Sequence, residues 1–332
     1  MHLATVFRDC LRNAISVSFT LFRVMIPIII VVKILKELEL IDMLAVPLAP
    51  VMELVGLPAS MGLVWATGLV NTVYSAMVVF VSLAPEAGLN TAQVTVLATM
   101  LLIAHGLPVE IKVAQQCGVS MLGQGVLRVG AALLCGLGLS ALFTGFGLLQ
   151  EPSHLFWTPG QEPATLALWA LGEARNLGSI FCIILGLMLI MRLLDAVGIT
   201  GALSWALGPL LRRMGIGRAA SAVTIVGLAL GLSYGSGLII HESRTGRIGR
   251  RDLFYSLSLM GLAHALIEDT MLMLMLGADL SGVFWGRLIF SLAFMALLVR
   301  FTKGLSDTAF ERAFLHNDKG APQATTPTND IS

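Results

Sequence analysis

The residues best suited to chemistry in this chain are histidines and carboxylates placed within long apolar stretches. One stretch contains His105 and Glu110, and a later one contains His264, Glu268 and Asp269. Ionisable side chains are costly in an apolar environment and usually face a cavity or a partner there. In a continuous helix, His264 and Glu268 are four residues apart and share one face. This pair is a candidate for coupling transport to a proton or Na⁺, and its alternative is a structural carboxylate bonded to the histidine or to backbone.

Two arginines follow the acidic residues at matching distances. Arg128 lies 18 residues after Glu110, and Arg287 follows Asp269 by the same separation. Because an acid and an arginine occur together twice, we interpret both combinations as structural ion pairs that neutralise charge in a membrane, with ion coupling as the alternative. Glu268 has an apolar residue at its matching position, so it is the first candidate for a coupling carboxylate.

Two glycine-containing stretches carry a second set of polar side chains. Their amide, hydroxyl and phenol groups offer donors, acceptors and stacking faces, which suit a polar planar solute such as a nucleoside or nucleobase. The same groups would also serve to hold a helical hairpin together. The candidate solute-binding residues are Asn71, Thr72, Tyr74, Ser75, Ser233, Tyr234 and Ser236.

Other kinds of site find no support in the residue spacing. No nucleophile–base arrangement, P-loop or metalloprotease motif is present, and no basic run with interleaved aromatic residues suggests a nucleic acid partner. The cysteines are scattered without a CxxC pair, so neither disulfides nor a metal site are indicated. We therefore expect a protein that is not an enzyme and has no resident metal or other cofactor. The four cysteines are Cys10, Cys117, Cys135 and Cys182.

The composition shows that a membrane must position these groups. Of the 332 residues, 56% are hydrophobic and only 12% are charged, and the mean hydropathy is +0.86. Soluble domains carry about 25% charged residues, so this chain must present apolar surface to lipid. Arg8 and Arg12 precede an apolar segment without a small-residue cleavage site, which predicts an uncleaved first span. We expect a multi-pass protein of the cytoplasmic (inner) membrane.

The sequence also repeats at a fixed offset of 159 residues, the separation of His105 and His264. Apolar residues match by accident in such a chain, but histidine, proline, arginine and acid do not readily keep register over almost a hundred residues. An ancient duplication is the simplest interpretation. The matched pairs include Lys33 with Arg192, Pro50 with Pro209, Gly68 with Gly227, Glu110 with Asp269 and Arg128 with Arg287.

Each half has the same predicted layout of apolar and amphipathic helices. We predict an all-α polytopic membrane protein with two inverted-topology repeats, each with about three transmembrane helices, an interfacial amphipathic helix and a re-entrant helical hairpin. The first-half segments are 14–37, 40–56, 59–83, 91–115 and 121–148, and the second-half segments are 168–196, 199–215, 218–240, 252–275 and 282–302. The predicted units are a first repeat (1–148), an extracytoplasmic linker (149–164), a second repeat (165–304) and a cytoplasmic, largely disordered tail (305–332).

The charges of the loops predict that the two halves are inverted. Cytoplasmic loops carry an excess of Lys and Arg. The loop 241–251 contains four arginines, whereas its counterpart 82–92 has no basic residue. With both termini cytoplasmic, the stretches 59–83 and 218–240 must enter and leave on one side, as re-entrant hairpins do. The alternative is that both stretches are ordinary spans with small residues for close packing.

The glycine-rich stretches give the chain a resemblance to a known family. They read GLPASMGLVWATGLVNTVYSAMVVF and GIGRAASAVTIVGLALGLSYGSGLII, and the block LMGLAHALIEDTMLML follows the second. These segments resemble the nucleoside-recognition, or Gate, domain, which occurs in concentrative nucleoside transporters, the membrane part of ferrous-iron transporter B, and spore maturation proteins A and B. The resemblance covers most of 14–302 as two Gate units. It implies inverted repeats whose re-entrant hairpins meet in the middle of the membrane.

Three hypotheses about function result. The leading one is a membrane transporter of small polar solutes, above all nucleosides or nucleobases, driven by a proton or Na⁺ gradient. The second is a non-transporting membrane subunit that assembles with a partner, and the third is a metal-ion permease. The expected partners are the lipid bilayer, a small solute, and either further copies of the chain or another membrane subunit.

Overall fold

The computed structural model describes residues 3–154 and 165–315, although the side chains of residues 3–7, 195, 199, 200, 230 and 232–236 are outside the described set. All regular secondary structure in these ranges is helical. Six helical segments are long and apolar enough to cross a membrane. The prediction of an all-α polytopic membrane protein is confirmed. The six segments are Arg8–Glu37, Thr91–Gln116, Met121–Gly145, Leu166–Leu194, Arg250–Met275 and Ser281–Lys303.

The helices of each half follow in the predicted order. In the first half they are α1 (Leu3–Glu37), α2 (Leu40–Ala45), a 3₁₀ turn (Val46–Leu48), α3 (Ala49–Leu54), α4 (Met61–Val70), α5 (Val73–Ala87), α6 (Thr91–Ile103), α7 (Leu107–Gln116) and α8 (Met121–Gly145). In the second half they are α9 (Leu166–Ala196), α10 (Ile199–Met214), α11 (Arg218–Leu230), α12 (Leu232–Arg244), α13 (Arg250–Ala263), α14 (Glu268–Met275), a π-helical turn (Ser281–Gly286), α15 (Arg287–Lys303) and α16 (Asp307–Phe314).

The helices predicted to be continuous over 91–115 and 252–275 are both interrupted, so that part of the prediction is wrong. In the first half, Gly106 adopts a left-handed φ of 58°, and Pro108 lies in the first turn of α7, where proline is tolerated. In the second half, Ala265 has a left-handed φ of 45°. This conformation costs a non-glycine residue about 1–2 kcal/mol, so tertiary contacts must hold it.

The stretches 59–83 and 218–240 each form a helical hairpin of two short helices. The four helices contain 10, 15, 13 and 13 residues. At 1.5 Å per residue they are ~15–22 Å long, less than the ~30 Å of the hydrocarbon core. The two arms of each hairpin pack against each other. No single arm is therefore long enough to span a bilayer.

The interrupted helices form the centre of the molecule, and α1 and α9 lie at its periphery. In the most apolar part of both Thr91–Gln116 and Arg250–Met275, 72% of the residues are buried. The corresponding share is 22% for the first span and 17% for Leu166–Leu194. The helices α1 and α9 also contact each other. Their exposed faces carry large apolar side chains such as Ile15, Phe19 and Leu171. Those faces are the surface that lipid covers.

The C-terminal segment differs from the expected disordered tail over 305–332. Residues Asp307–Phe314 form α16, and Phe310 is only 1% exposed because it packs edge-on against Phe254. The Arg251 guanidinium also lies 4.5 Å from the centre of the Phe310 ring. Burial of this aromatic side chain explains why the segment folds. The rest of the predicted tail lies outside the described residues.

Candidate functional site

The interruptions of the two central helices contact the turns of the two hairpins. The Gly106 amide donates to the carbonyl of Gly68 in α4 over 2.9 Å, and the Leu266 amide donates to the carbonyl of Leu228 in α11 over 2.9 Å. At the second hairpin turn, Gly231 approaches Ala265 so closely that a Cβ atom there would lie 3.4 Å from the alanine side chain. Four breaks in helical backbone are thus gathered in the core.

A pair of buried histidines lies where these breaks meet. The Nε2 atoms of His105 and His264 are 3.2 Å apart, and the side chains are only 7% and 4% exposed. Each Nδ1 lies 2.9 Å from the carbonyl oxygen four residues earlier, that of Leu101 or Met260. A carbonyl only accepts hydrogen bonds, so Nδ1 carries the proton in both rings. The two Nε2 atoms therefore face each other, and the Glu110 carboxylate lies beside them.

Arg128 supports the break in the first central helix. Its Nε donates to the Ile103 carbonyl over 3.0 Å, and its Nη2 donates to the His105 carbonyl over 3.1 Å. Carbonyls at a helix end have no partner within the helix, and the guanidinium supplies one. Its Nη1 bonds to the Glu110 carboxylate. The predicted Glu110–Arg128 ion pair is confirmed.

Arg287 supports the break in the second central helix in the same way. Its Nε donates to the Leu262 carbonyl over 3.0 Å, and its Nη2 donates to the His264 carbonyl over 2.9 Å. The same Nη2 lies 3.0 Å from the carbonyl of Leu102 in α6. Arg287 is fully buried. It therefore connects the ends of both interrupted helices.

The predicted ion pair between Asp269 and Arg287 does not form, and this expectation is wrong. No salt bridge joins the two residues, and within the described chain Asp269 Oδ2 and Arg287 Nη1 are buried without a hydrogen-bond partner. The second break is longer than the first, so α14 begins only at Glu268. Asp269 is thus the second residue of its helix, whereas Glu110 is the fourth residue of α7. The two acids consequently differ in position although they match in sequence.

The prediction that His264 and Glu268 share one helix face is also wrong. His264 ends α13 and lies in the break, and Glu268 starts α14 after it. Glu268 still lies near enough to His264 to interact with it electrostatically, and it interacts likewise with Asp269 and with the hydroxyl of Tyr74 in the first hairpin. The structure therefore brings Tyr74 to the acidic part of the cluster.

The other candidate solute-binding residues divide into two groups. The Thr72 hydroxyl accepts from the Ser75 amide over 3.2 Å and lies 3.1 Å from the Ser75 hydroxyl. These two residues cap the start of α5. Their contacts fit the alternative in which the polar groups hold the hairpin together. The carbonyl of Asn71 faces the break at Gly106. Ser233, Tyr234 and Ser236 lie outside the described side chains.

The fold also assembles potential metal ligands that the residue spacing did not indicate. One ligand atom from each of His105, His264 and Asp269 lies within 4.8 Å of the others. The Oε1 atom of Glu110 lies 3.2 Å from His264 Nε2 and 3.5 Å from His105 Nε2. The signal in the sequence was the occurrence of two histidines 159 residues apart, the predicted repeat offset. A cavity about the size of one water molecule adjoins Glu110 and Gly261.

Comparison with known proteins supports a membrane protein. The chain is 26% identical over 289 residues to the uncharacterized membrane protein YvoD of Bacillus subtilis (strain 168), covering 82% of this chain and 87% of that protein. No family model matches the chain. No solved structure matches it.

Proposed function

We propose that this membrane protein is a secondary transporter of small polar solutes, with nucleosides and nucleobases as the favoured class. The observation that most supports this is the meeting of four helix breaks around buried charged and polar side chains. Irregular backbone at membrane depth is tolerated only where protein covers it or where it lines a cavity. Many secondary transporters bind substrate and coupling ion at such discontinuous helices, between two repeats.

The proposed arrangement is two inverted repeats with six spans, two re-entrant hairpins and both termini in the cytoplasm. The short hairpin arms support it, because none of them is long enough to span. The contrast between the arginine-rich loop 241–251 and the segment 82–92, which has no basic residue, supports opposite orientations. The direct contact between His105 and His264 is expected if a two-fold axis relates the halves.

Small displacements of the hairpins would open the site to one side of the membrane at a time. Each hairpin is connected to a central break by a backbone hydrogen bond, from Gly106 or from Leu266. Asn71 and Tyr74 supply polar and aromatic groups beside the break, where they suit a base or a ribose. Glu268 is the proposed coupling carboxylate. It lies close to Asp269 and to Tyr74, so a cation bound at Glu268 would lie next to a proposed solute-binding residue.

Uptake into proteoliposomes tests this function. The protein is reconstituted, an inward proton or Na⁺ gradient is imposed, and labelled nucleosides and nucleobases are supplied one at a time. We expect gradient-dependent accumulation of at least one of them. Replacing Glu268 by Gln should abolish the dependence on the gradient and leave the thermal stability of the protein unchanged. The control is Glu53→Gln, since Glu53 is exposed on α3 and away from the cluster.

Two results would contradict the proposal. Normal gradient-driven uptake by the Glu268→Gln variant would remove the coupling role of that residue. Absence of uptake and of solute-induced thermal stabilisation, together with a stable membrane partner that co-purifies, would instead favour the non-transporting subunit.

A further inference from the structure

We propose that His105, His264 and Asp269, with the carboxylate of Glu110, bind one divalent transition-metal ion that connects the two halves of the protein. This inference goes beyond the proposed transport of solutes and does not depend on it. It rests on the geometry of the histidine pair, on an unpartnered carboxylate beside the pair, and on the charge of the cluster.

The distance between the histidines fits two ligands of one metal ion. Two imidazole nitrogens bound tetrahedrally at about 2.0–2.1 Å are separated by about 3.3–3.4 Å. The two Nε2 atoms are 3.2 Å apart. Two imidazole nitrogens at this distance need either a shared proton or a metal ion between them. A metal ion satisfies both lone pairs at once.

The surroundings of each imidazole are those of a metal ligand. Histidines that bind metals almost always donate their other ring N–H to a carbonyl or carboxylate, which orients the ring. His105 donates to Leu101 and His264 donates to Met260, both over 2.9 Å. The arrangement is identical in the two halves. Packing alone does not require either bond, because a histidine at a helix end could equally direct Nδ1 elsewhere.

The third ligand is a carboxylate without any other partner. Asp269 is 9% exposed, and its Oδ2 has no hydrogen-bond partner among the described residues. A buried carboxylate oxygen without a partner is strongly unfavourable. Coordination would satisfy it. Glu110 Oε1 lies within 3.5 Å of both Nε2 atoms and is placed to be the fourth ligand.

The charge of the cluster favours a cation. Two carboxyl groups, those of Glu110 and Asp269, lie beside the histidine pair and offer oxygen ligands to a cation. A mixed imidazole and carboxylate set suits Zn²⁺, Fe²⁺, Co²⁺ or Ni²⁺, whereas Ca²⁺ and Mg²⁺ prefer oxygen alone.

Metal titration of the purified full-length protein tests the proposal. Protein in detergent is stripped with a chelator, incubated with Co²⁺ or Zn²⁺, desalted, and analysed for bound metal by mass spectrometry. We expect one ion per chain, no stoichiometric Ca²⁺ or Mg²⁺, and a Co²⁺ d–d absorption spectrum of the intensity that tetrahedral coordination gives. Zinc should also raise the thermal unfolding temperature, since it binds only the folded state.

Matched variants locate the ion. His105→Ala and His264→Ala should each lose stoichiometric binding, and Asp269→Asn should weaken it. His241→Ala is the control, because His241 is an exposed histidine on α12 and should leave binding unchanged. If the histidine variants fail to fold, the Co²⁺ spectrum of the unmodified protein still reports whether imidazole and carboxylate ligands surround the ion.

Three results would overturn the inference. They are no stoichiometric transition metal on the unmodified protein, full binding by both His105→Ala and His264→Ala, and loss of binding in His241→Ala. The first would mean that a shared proton joins the histidine pair. Because binding is measured without transport, failure of solute uptake would leave the metal site standing, and failure of metal binding would leave the transport hypothesis standing.

Discussion

At the scale of single residues, two buried arginines make the helix breaks possible. Each guanidinium bonds to two carbonyls at the end of an interrupted helix, at Ile103 and His105 for Arg128 and at Leu262 and His264 for Arg287. Carbonyls at a helix end have no partner within the helix. An ammonium on a flexible stem cannot reproduce the planar fork that reaches both. The main role of these two arginines is therefore to bond to backbone carbonyls at the helix breaks.

Replacing Arg128 by Met should strongly destabilise the protein. The change leaves the Glu110 carboxylate and two carbonyls buried without a partner, and breaking a buried ion pair costs about 3–5 kcal/mol. Thermal unfolding in detergent measures the effect. Arg300→Met is the control because Arg300 is exposed on α15, and it should change stability by less than about 0.5 kcal/mol. Equal effects of the two substitutions would contradict the conclusion that Arg128 stabilises the helix break.

At the scale of the elements, the first and second halves meet through small residues. Gly282 lies in the π-helical turn of the second half, and a Cβ atom there would collide with the Cγ2 of Thr95 in α6. Thr95 is unable to move aside, because its hydroxyl donates to the Thr91 carbonyl over 2.6 Å and accepts from the Asp279 amide over 2.8 Å. The π-turn and α6 can approach only because position 282 has no side chain.

Gly282→Ala should therefore destabilise the protein by about 1–3 kcal/mol, the usual cost of overpacking a core. Gly130→Ala is the matched control in α8, where a Cβ atom meets nothing within 4 Å, and it should be neutral or stabilising by up to about 1 kcal/mol. Adding Thr95→Ser to Gly282→Ala removes the colliding methyl group and keeps the hydroxyl. Thermal unfolding should then show recovery, and a double variant as unstable as Gly282→Ala alone would disprove this contact.

At the scale of the whole molecule, the contacts between the halves occur at equivalent positions. His105 meets His264, and the two arginines bond to equivalent carbonyls, all at the offset of 159 residues. The two halves differ at their acidic residues, because Glu110 forms a salt bridge with Arg128, whereas Asp269 Oδ2 has no hydrogen-bond partner among the described residues. Inverted halves would place the equivalent loops on opposite sides of the membrane.

Cysteine labelling tests that topology. In a variant without the four native cysteines, Glu86→Cys and Thr245→Cys introduce exposed thiols at positions 159 residues apart. A membrane-impermeant maleimide should label position 86 in intact cells and position 245 only after permeabilisation, because arginines flank the second loop. Labelling of both positions from the same side would contradict inverted halves.

Prediction from the sequence worked best for the long apolar helices and for the Glu110–Arg128 pair. It failed for the continuity of the two central helices, since hydropathy averages over about 20 residues and does not register a single left-handed residue. Gly106 with Pro108 was a readable signal for the first break, whereas the second break, at Ala265, has no glycine or proline. The prediction that His264 and Glu268 share one helix face failed for the same reason, because the helix is interrupted between them.

Composition and pattern alone determined that the chain is an all-α membrane protein, because lipid requires long apolar segments. Only the tertiary structure decided that His105 and His264 touch, that Asp269 Oδ2 has no hydrogen-bond partner among the described residues, and that Arg287 bonds to carbonyls. These outcomes depend on where two helices break in space. The residues involved are far apart along the chain. Local sequence preferences do not specify distances between such residues to within a few ångströms, and those distances decide whether the side chains can bind a common ligand.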